Sequence, residues 1–474
     1  MTVRQATFLP SVFISVSLCV LLFCFARRVF TGTHLYNRSF NLQAFLGVFL
    51  FLLCGGIGGW TMLRDKPFTL DTIVNEDWMQ KTSSGEELFW FHVVCHIILP
   101  QRSAMFAYPL ALLVFICLFS INDNNLARFE RVKFFLLAGA VTGLLPLVHA
   151  HSFVGIGLIA AVYCILHPAE LFDFSSSGHF NLWLAFGLPI ILLSAPQMPS
   201  YLHRILYGES EGEAFIRLTA LWRNSPWISQ APSFLPDLNF FILWWKALNF
   251  LFPLSFIGIF FLNSVQRKLY LAFIFVFFVG NFVMFQPWDK DNNKIFVIWL
   301  MLSCFVAVNA LFKLFGKYRI TRIVIPILFI AMIFSGTVMC IRETRLWWEF
   351  MDKDDVHFAE SIKLNTAHDS IWITNDDHIH PVSNLAGRSV VFGFAGWVHS
   401  HGYPNLWERQ DEQKIFLRHP QRNVEFLKKH NISYLCWDTG MDADLQFFNN
   451  SPYVKRILQT RKYTVFDLRE LRDK

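Results

Sequence analysis

Apolar runs of helix length, broken by short polar stretches, fill the first 340 residues. A spanning helix needs roughly 20 mostly apolar residues. The pattern predicts spans near 8–26, 42–60, 104–120, 134–149, 153–167, 181–194, 239–262, 269–286, 295–312 and 322–340. Two of them, 153–167 and 181–194, are short and predict broken or tilted segments. The run Leu88–Pro100 is shorter still and carries His92 and His96, so it reads as a re-entrant or interfacial helix. After residue 340 the period changes. Short strand-like runs (Ser370–Asn375, Ser389–Gly393, Ser433–Trp437, Tyr463–Asp467) alternate with helical ones (Asp411–Arg418, Val424–Lys429), and FLKKHNISYLCWD reads as one helix-then-strand step. The fold class expected is an α-helical polytopic membrane bundle of about ten spans over 1–340, with a small C-terminal α/β soluble domain over 341–474.

Charge sharpens this division. Residues 341–474 hold 37 of the 76 acidic and basic side chains, and the first 340 share the other 39. With 54% hydrophobic residues, 16% charged residues and a mean hydropathy of +0.40, the chain is neither a single soluble domain, nor disordered, nor a nucleic-acid binder. One set of loops (around Arg27, Arg128, Arg267 and Lys317) carries 12 basic against four acidic residues, whereas the opposite set carries 10 against 12. The positive-inside rule makes the first set cytoplasmic. Loops 61–103, 195–238 and 287–294 and the whole tail then face the lumen or periplasm, hereafter the outer side. The sequons at Asn431 and Asn449 fall in that tail and suit an endoplasmic-reticulum lumen and a glycoprotein, while Asn37-Arg-Ser39 falls on the cytoplasmic side. Ten spans and an outer tail also put Met1 outside, which predicts either a reverse signal anchor or a missing N-terminal segment.

Chemistry concentrates in the outer loops. Pro287-Trp-Asp-Lys-Asp-Asn-Asn-Lys294 packs two carboxylates, two ammonium groups, two amides and the Trp288 indole between two apolar spans. Charge at the edge of a lipid-embedded bundle is expensive and marks function by default. Lys290 and Lys294 could hold a phosphate while Asp289 or Asp291 handles a proton or a metal, against the plain alternative of a solvated hairpin. In loop 61–103, Asp77 is a candidate general base and Arg102 a natural lipid-phosphate ligand, because a guanidinium can bind two phosphate oxygens at once. His149 and His151 flank one turn, and His92 and His96 sit at helical spacing. Together they could make a metal site, but interfacial or hydrogen-bonded histidine is the simpler reading. The alternating Glu209, Glu211 and Glu213 read as a solvated acidic turn. Of nine cysteines, six lie inside apolar runs, Cys95 and Cys340 lie at or near span ends, and no pair has zinc-site spacing. In the tail, the glycine-rich stretch 385–403 offers Arg388, His399 and His401 to an anion, or else is a loop packed on the membrane domain with Trp397 at the interface.

Five segments, GGIGGW at 55–60, LPQRSAMFAYPL at 99–110, GLLPLVHAHSF at 143–153, QPWDKDNNKIFVIW at 286–299 and LAGRSVVFGFAGWVHSHGY at 385–403, together resemble a group of polytopic proteins described as GT-C glycosyltransferases of the dolichyl- or polyprenyl-phosphate-sugar type. The resemblance covers about 8 to 470. It implies sugar transfer from a polyprenyl-phosphate donor at the outer membrane face, with the lipid bilayer and the lipid-linked sugar as partners and a divalent cation as an optional cofactor. It marks Arg102, His149, His151, Asp289, Asp291, Asn292, Lys294 and Arg388 without assigning their roles. In that class the key acid lies in a loop after a first span; this chain is expected to start beyond both, so that acid is expected to be missing. The expected function is a luminal-face glycosyltransferase with Lys294 and Arg102 on the lipid phosphate and Asp77, Asp289 or Asp291 as base. The alternatives are a non-catalytic membrane assembly partner and a multi-pass transporter, for which Lys246 is the one plausibly deep charge.

Overall fold

The computed structural model describes residues 3–31, 38–171, 181–207, 209–210, 213–214, 216–224, 238–286, 288–346, 349–401 and 405–474. Glu211 of the acidic turn, Asn37 of the first sequon, Pro287 and Tyr403 lie outside the described residues. The chain divides into two compact units, one of 1–203 with 216–346 and one of 204–215 with 347–474.

The first unit is helical. Its main helices are α1 (Val3–Thr31), α2 (Arg38–Leu53), α3 (Gly58–Asp65), α4 (Arg102–Phe119), α5 (Arg128–Leu144), α6 (Ala150–Ile165), α7 (Leu182–Ser194), α8 (Leu238–Leu248), α9 (Leu251–Ile257), α10 (Ser264–Phe282), α11 (Asn293–Phe315) and α12 (Val324–Arg345). Helix occupies each of the ten expected positions. Among the described residues five helices are long and apolar enough to cross a membrane, or seven if two bent pairs count as one span each. The chain is therefore a multi-pass membrane protein. Segments 150–165 and 182–197 are apolar but short, as their sequence predicts. The expected re-entrant helix at 88–100 is a single π-helical stretch, Val93–Ile98, whose wide turns suit a local distortion rather than a span.

Both bent pairs break at residues suited to the task. α2 and α3 meet at 72°, across Cys54-Gly-Gly-Ile57, and α8 and α9 at 110°, where Asn249 takes a positive φ of 41°. Lipid offers no hydrogen bonds to backbone groups freed at such breaks, so the protein must supply them. Gly55 N–H donates to Met332 O at 3.0 Å and Ile57 N–H to Lys246 O at 3.0 Å. The buried Asn249 amide donates to Gly55 O at 2.7 Å and Ala331 O at 3.0 Å. Ser335 Oγ donates to Gly56 O at 2.6 Å and accepts from Gly59 N–H at 3.1 Å. Each break thus supplies partners to the other, and α12 supplies the rest. The glycines are obligatory for this approach, because a Cβ on Gly56 would lie 1.8 Å from Lys246 O. At the centre stands α11, whose residues 295–308 are all buried. A helix apolar all round belongs in the interior of a bundle, and α2, α6, α9, α10 and α12 all pack on it.

The second unit is an α/β layer. Strands β1 (Ile371–Ile373), β2 (Ser389–Val390), β3 (Ile432–Asp438), β4 (Lys455–Gln459) and β5 (Tyr463–Asp467) form one sheet in the order β2-β1-β3-β5-β4. The first three are parallel, and β5 runs antiparallel to both β3 and β4. Alternation along the strands fills two cores. Trp372, Tyr434, Cys436 and Val465 pack with Phe358 and Ile362 of α13 (Lys353–Asn365), while Ile373, Leu435 and Phe466 pack with Phe416 and Leu417 of α14 (Leu406–Arg418). The helix-then-strand step at 426–438 is present, with its turn made by Asn431 at φ 50°. Two elements escape the sequence pattern. α13 carries a narrow apolar stripe (Phe358, Ala359, Ile362) among charges, and β4 is an edge strand without a fully buried residue.

Because the Gly56 contact is with backbone, Gly56→Ala is expected to abolish the folded, monodisperse protein in detergent. Gly157→Ala, where a Cβ meets nothing within 4 Å, should leave the thermal melt unchanged. Size-exclusion chromatography and melting of the two variants check this.

Candidate functional site

The loop marked by its charge density sits at the head of α11. Asp289–Asn292 form one 3-10 turn that runs directly into the helix, with Trp288 exposed just before it and Asp291 N–H donating to Trp288 O at 3.0 Å. The turn is anything but a solvated hairpin. Lys290, Asp291, Asn292 and Asn293 are 5%, 8%, 1% and 0% exposed. The two amides hold the loop in shape. Asn292 donates to Gly280 O at 2.9 Å and Val283 O at 2.7 Å and accepts from Phe285 N–H, tying the turn to the end of α10. Asn293 donates to Phe89 O and Lys290 O, each at 3.0 Å, and accepts from Phe91 N–H, tying it to loop 61–103.

Each charge of the turn then meets an opposite one. Asp291 accepts from Lys294 Nζ at 2.8 Å, Asp289 from Arg217 at 3.0 Å, and Lys290 donates to Glu87 at 3.1 Å while lying 5.7 Å from the centre of the Phe91 ring. Arg217 is placed by a two-residue strand, Arg217–Leu218, paired antiparallel with Val283–Met284. Lys246, the one plausibly deep charge, bonds Glu86 of the same outer loop at 2.6 Å. It ties α8 to loop 61–103, as Lys290 ties the turn to that loop through Glu87.

Separate stretches of sequence converge here. Tyr108 of α4 donates to Lys294 O at 3.4 Å and stands edge-on to His149, ring centres 5.7 Å apart. His149 and His151 lie side by side with centres 5.4 Å apart, and the Lys294 ammonium is near enough to act electrostatically on both. His149 Nδ1 shares a hydrogen bond with Ser152 Oγ at 2.8 Å, but the buried Nε2 atoms of both histidines have no partner among the described residues. A buried polar atom without a partner costs about 1–3 kcal/mol and is tolerated where a ligand supplies the missing bond.

Asp77 is linked to the same layer from the side. One oxygen accepts from Met79 N–H at 3.1 Å and Gln80 N–H at 2.9 Å, and the Gln80 amide lies 3.2 Å from His96 Nδ1. Burial pushes the His96 imidazole well below its ordinary value, while Asp77 and Lys290 both act on it. Arg102 is the exposed first residue of α4, on the helix that carries Tyr108. Arg388 belongs to the second unit. It is buried there and donates to Thr366 Oγ1 and to the carbonyls of Lys363, Thr366 and Ala386, the bonding of a structural arginine. Asn431 and Asn449 are exposed, and Arg472 donates to Asn431 Oδ1 at 2.7 Å.

Sequence reasoning missed Glu86, Glu87, Arg217 and Tyr108 as members of this layer. Adjacent carboxylates facing two lysines were the only available hint, and no spacing rule relates residues about 200 positions apart. His92, His96, His149 and His151 do not gather into one metal-binding group among the described residues. Among the described residues, the group of His, Cys and acidic side chains close enough to share an ion is His92, Cys95 and Cys340.

No protein-family model matches the chain, and no curated protein is similar to it. One solved structure with a related path is the crystal structure of ArnT from Cupriavidus metallidurans bound to undecaprenyl phosphate. It aligns over 97% of this chain and 83% of its own, with a TM-score of 0.45 and 12% identity.

Asn292→Leu keeps the side-chain size but leaves Phe285 N–H and two carbonyls without partners. It is expected to cost about 2–4 kcal/mol, read as a lower melting temperature of the purified protein.

Proposed function

We propose that this chain is a membrane-embedded glycosyltransferase of GT-C type that takes a polyprenyl-phosphate-linked sugar at the outer, luminal face. The observation that carries the reading is the assembly of three of its marked segments at one place. Tyr108 (segment 99–110), His149 and His151 (143–153) and the Asp291–Lys294 pair (286–299) meet at the head of the central helix. The chemistry suits the donor. Lys294 and Lys290 bring positive charge to a polar layer above a lipid-facing bundle, where a phosphate can sit while its lipid tail lies among the helices. Arg102 approaches from the exposed start of α4.

In the transfer, an acceptor hydroxyl attacks the anomeric carbon, the bond from that carbon to the lipid phosphate oxygen breaks, and the polyprenyl phosphate leaves. A carboxylate takes the hydroxyl proton; Asp291 is the best placed, since its pairing with Lys294 lets the ammonium move to the departing phosphate as the carboxylate turns to the acceptor. Asp77 and Asp289 are the other candidates. The unpartnered Nε2 atoms of His149 and His151 supply donors or acceptors for sugar hydroxyls. Asp289 and Asp291 each already bond a cation, so no step is routed through a divalent metal. The ten-span topology, an endoplasmic-reticulum location, a luminal tail over 341–474 and glycans on Asn431 and Asn449 belong to the same proposal and rest on the loop charges and the exposed sequons.

Full-length protein reconstituted with polyprenyl-phosphate sugars should release polyprenyl phosphate and glycosylate an acceptor. Breaking a buried pair by removing one partner costs about 3–5 kcal/mol, so stability and catalysis must be separated. Asp291→Asn and Lys294→Met each should lower both folded yield and turnover. The double variant should recover folding and still turn over at least about a hundredfold more slowly than the parent. No transfer from any donor, together with full function of Asp291→Asn in cells, would overturn the reading in favour of an assembly role.

A further inference from the structure

We infer that Cys95 and Cys340 are a dithiol that closes to a disulfide, cross-linking the π-helix of the outer loop to the last span. The two sulfurs lie 3.8 Å apart although 245 residues separate them in sequence. That is van der Waals contact between reduced thiols, and closing it to a bond of about 2.05 Å takes a movement of under 2 Å between the two sulfurs. The surroundings are arranged for it. His92 is fully buried, and its Nε2 lies 3.8 Å from the Cys340 sulfur. The ring reaches that place because α12 has Gly336 one turn earlier, where a Cβ would stand 2.9 Å from the same nitrogen.

The tautomer of His92 separates this reading from metal binding. Cys95 N–H donates to His92 Nδ1 at 3.1 Å. The single proton of the neutral ring therefore sits on Nε2 and points at the Cys340 sulfur. A nitrogen that carries a proton cannot ligate a metal, but it donates to a sulfur that becomes charged during exchange. The charge pattern of the loops adds the compartment. Cys95 lies in loop 61–103 and Cys340 five residues before the end of α12, both on the outer side, where disulfides form and persist.

The step balances as thiol–disulfide exchange with a glutathione-type disulfide. Cys340, the less buried of the two, attacks as thiolate; the donor's S–S bond breaks and one glutathione thiolate leaves. Cys95 gives up its proton and attacks the Cys340 sulfur of the mixed disulfide, expelling the second thiolate. Two protein thiols lose two electrons, the donor disulfide becomes two thiols, and the two cysteine protons pass to the leaving groups. The inference rests on the outer-side topology of that proposal but on none of its transfer chemistry, so it survives a failure of the transferase assay.

The test uses the full chain in isolated membranes. Membranes are treated with glutathione disulfide, denatured in acid, alkylated, reduced and alkylated again with a heavy reagent. Of nine cysteines, Cys95 and Cys340 should carry the heavy label to equal extents, and non-reducing digestion should yield their peptides as one linked pair. Cys95→Ser should leave Cys340 as a mixed disulfide with glutathione, and His92→Gln should slow closure without changing its end point. Light label on both cysteines of the oxidised parent would overturn the assignment. So would one equivalent of zinc in the purified protein that is released when thiols are blocked.

Discussion

Backbone polar groups that lose their helix partners inside an apolar bundle must find new ones within the protein, and much of this structure follows from how that is done. The bend at Gly55–Ile57 frees donors and acceptors that Asn249, Ser335, Met332 and Lys246 take up. The bend at Asn249 would be equally costly without Gly55 and Ala331. Neither break is self-sufficient. Because they must lie against each other and against α12, the first and last thirds of the membrane unit are locked together. The loop between α3 and α4 is thereby presented to the turn that starts α11.

At that turn the same principle applies to charge. Three ionised residues of the turn and Lys246 find opposite partners, while Asn292 and Asn293 satisfy the backbone around them. A polar layer this thoroughly paired is rigid. Among the described residues the buried Nε2 atoms of His149 and His151 are without partners, and well-held surroundings with a few unsatisfied groups are what binding and transfer chemistry require.

The architecture was legible because the relevant signals are local. Apolar runs gave the helix positions, the short runs at 153–167 and 181–194 marked helices that fall below spanning length, and alternation in the tail gave four of five strands. The charge-dense turn was legible from composition: few plain loops carry Asp, Lys, Asp, Asn, Asn and Lys in succession. What could not be read was pairing at a distance. Glu87 and Lys290 are 203 residues apart, Asn293 and Phe89 are 204 apart, and nothing in either stretch names the other. Arg388 misled for the reason that buried arginines do: its sequence neighbourhood of glycines suggests a ligand loop, whereas its donors go to carbonyls at the end of α13.

The burial of α11 on every side has a further meaning for how the chain is made. Translation delivers this helix near residue 300, after every helix that surrounds it except α12. Until it emerges, α2, α6, α9 and α10 can have no centre to close around, and the faces they will turn inward must be held against lipid or a chaperone. The helix also cannot enter laterally once its neighbours have met. Assembly must therefore wait for it with an open groove, and the polar turn at its head forms only when the groove shuts. In such a chain the charged turn is built late, after α2, α6, α9 and α10 have been made, and α12 is left to cover the last side of α11.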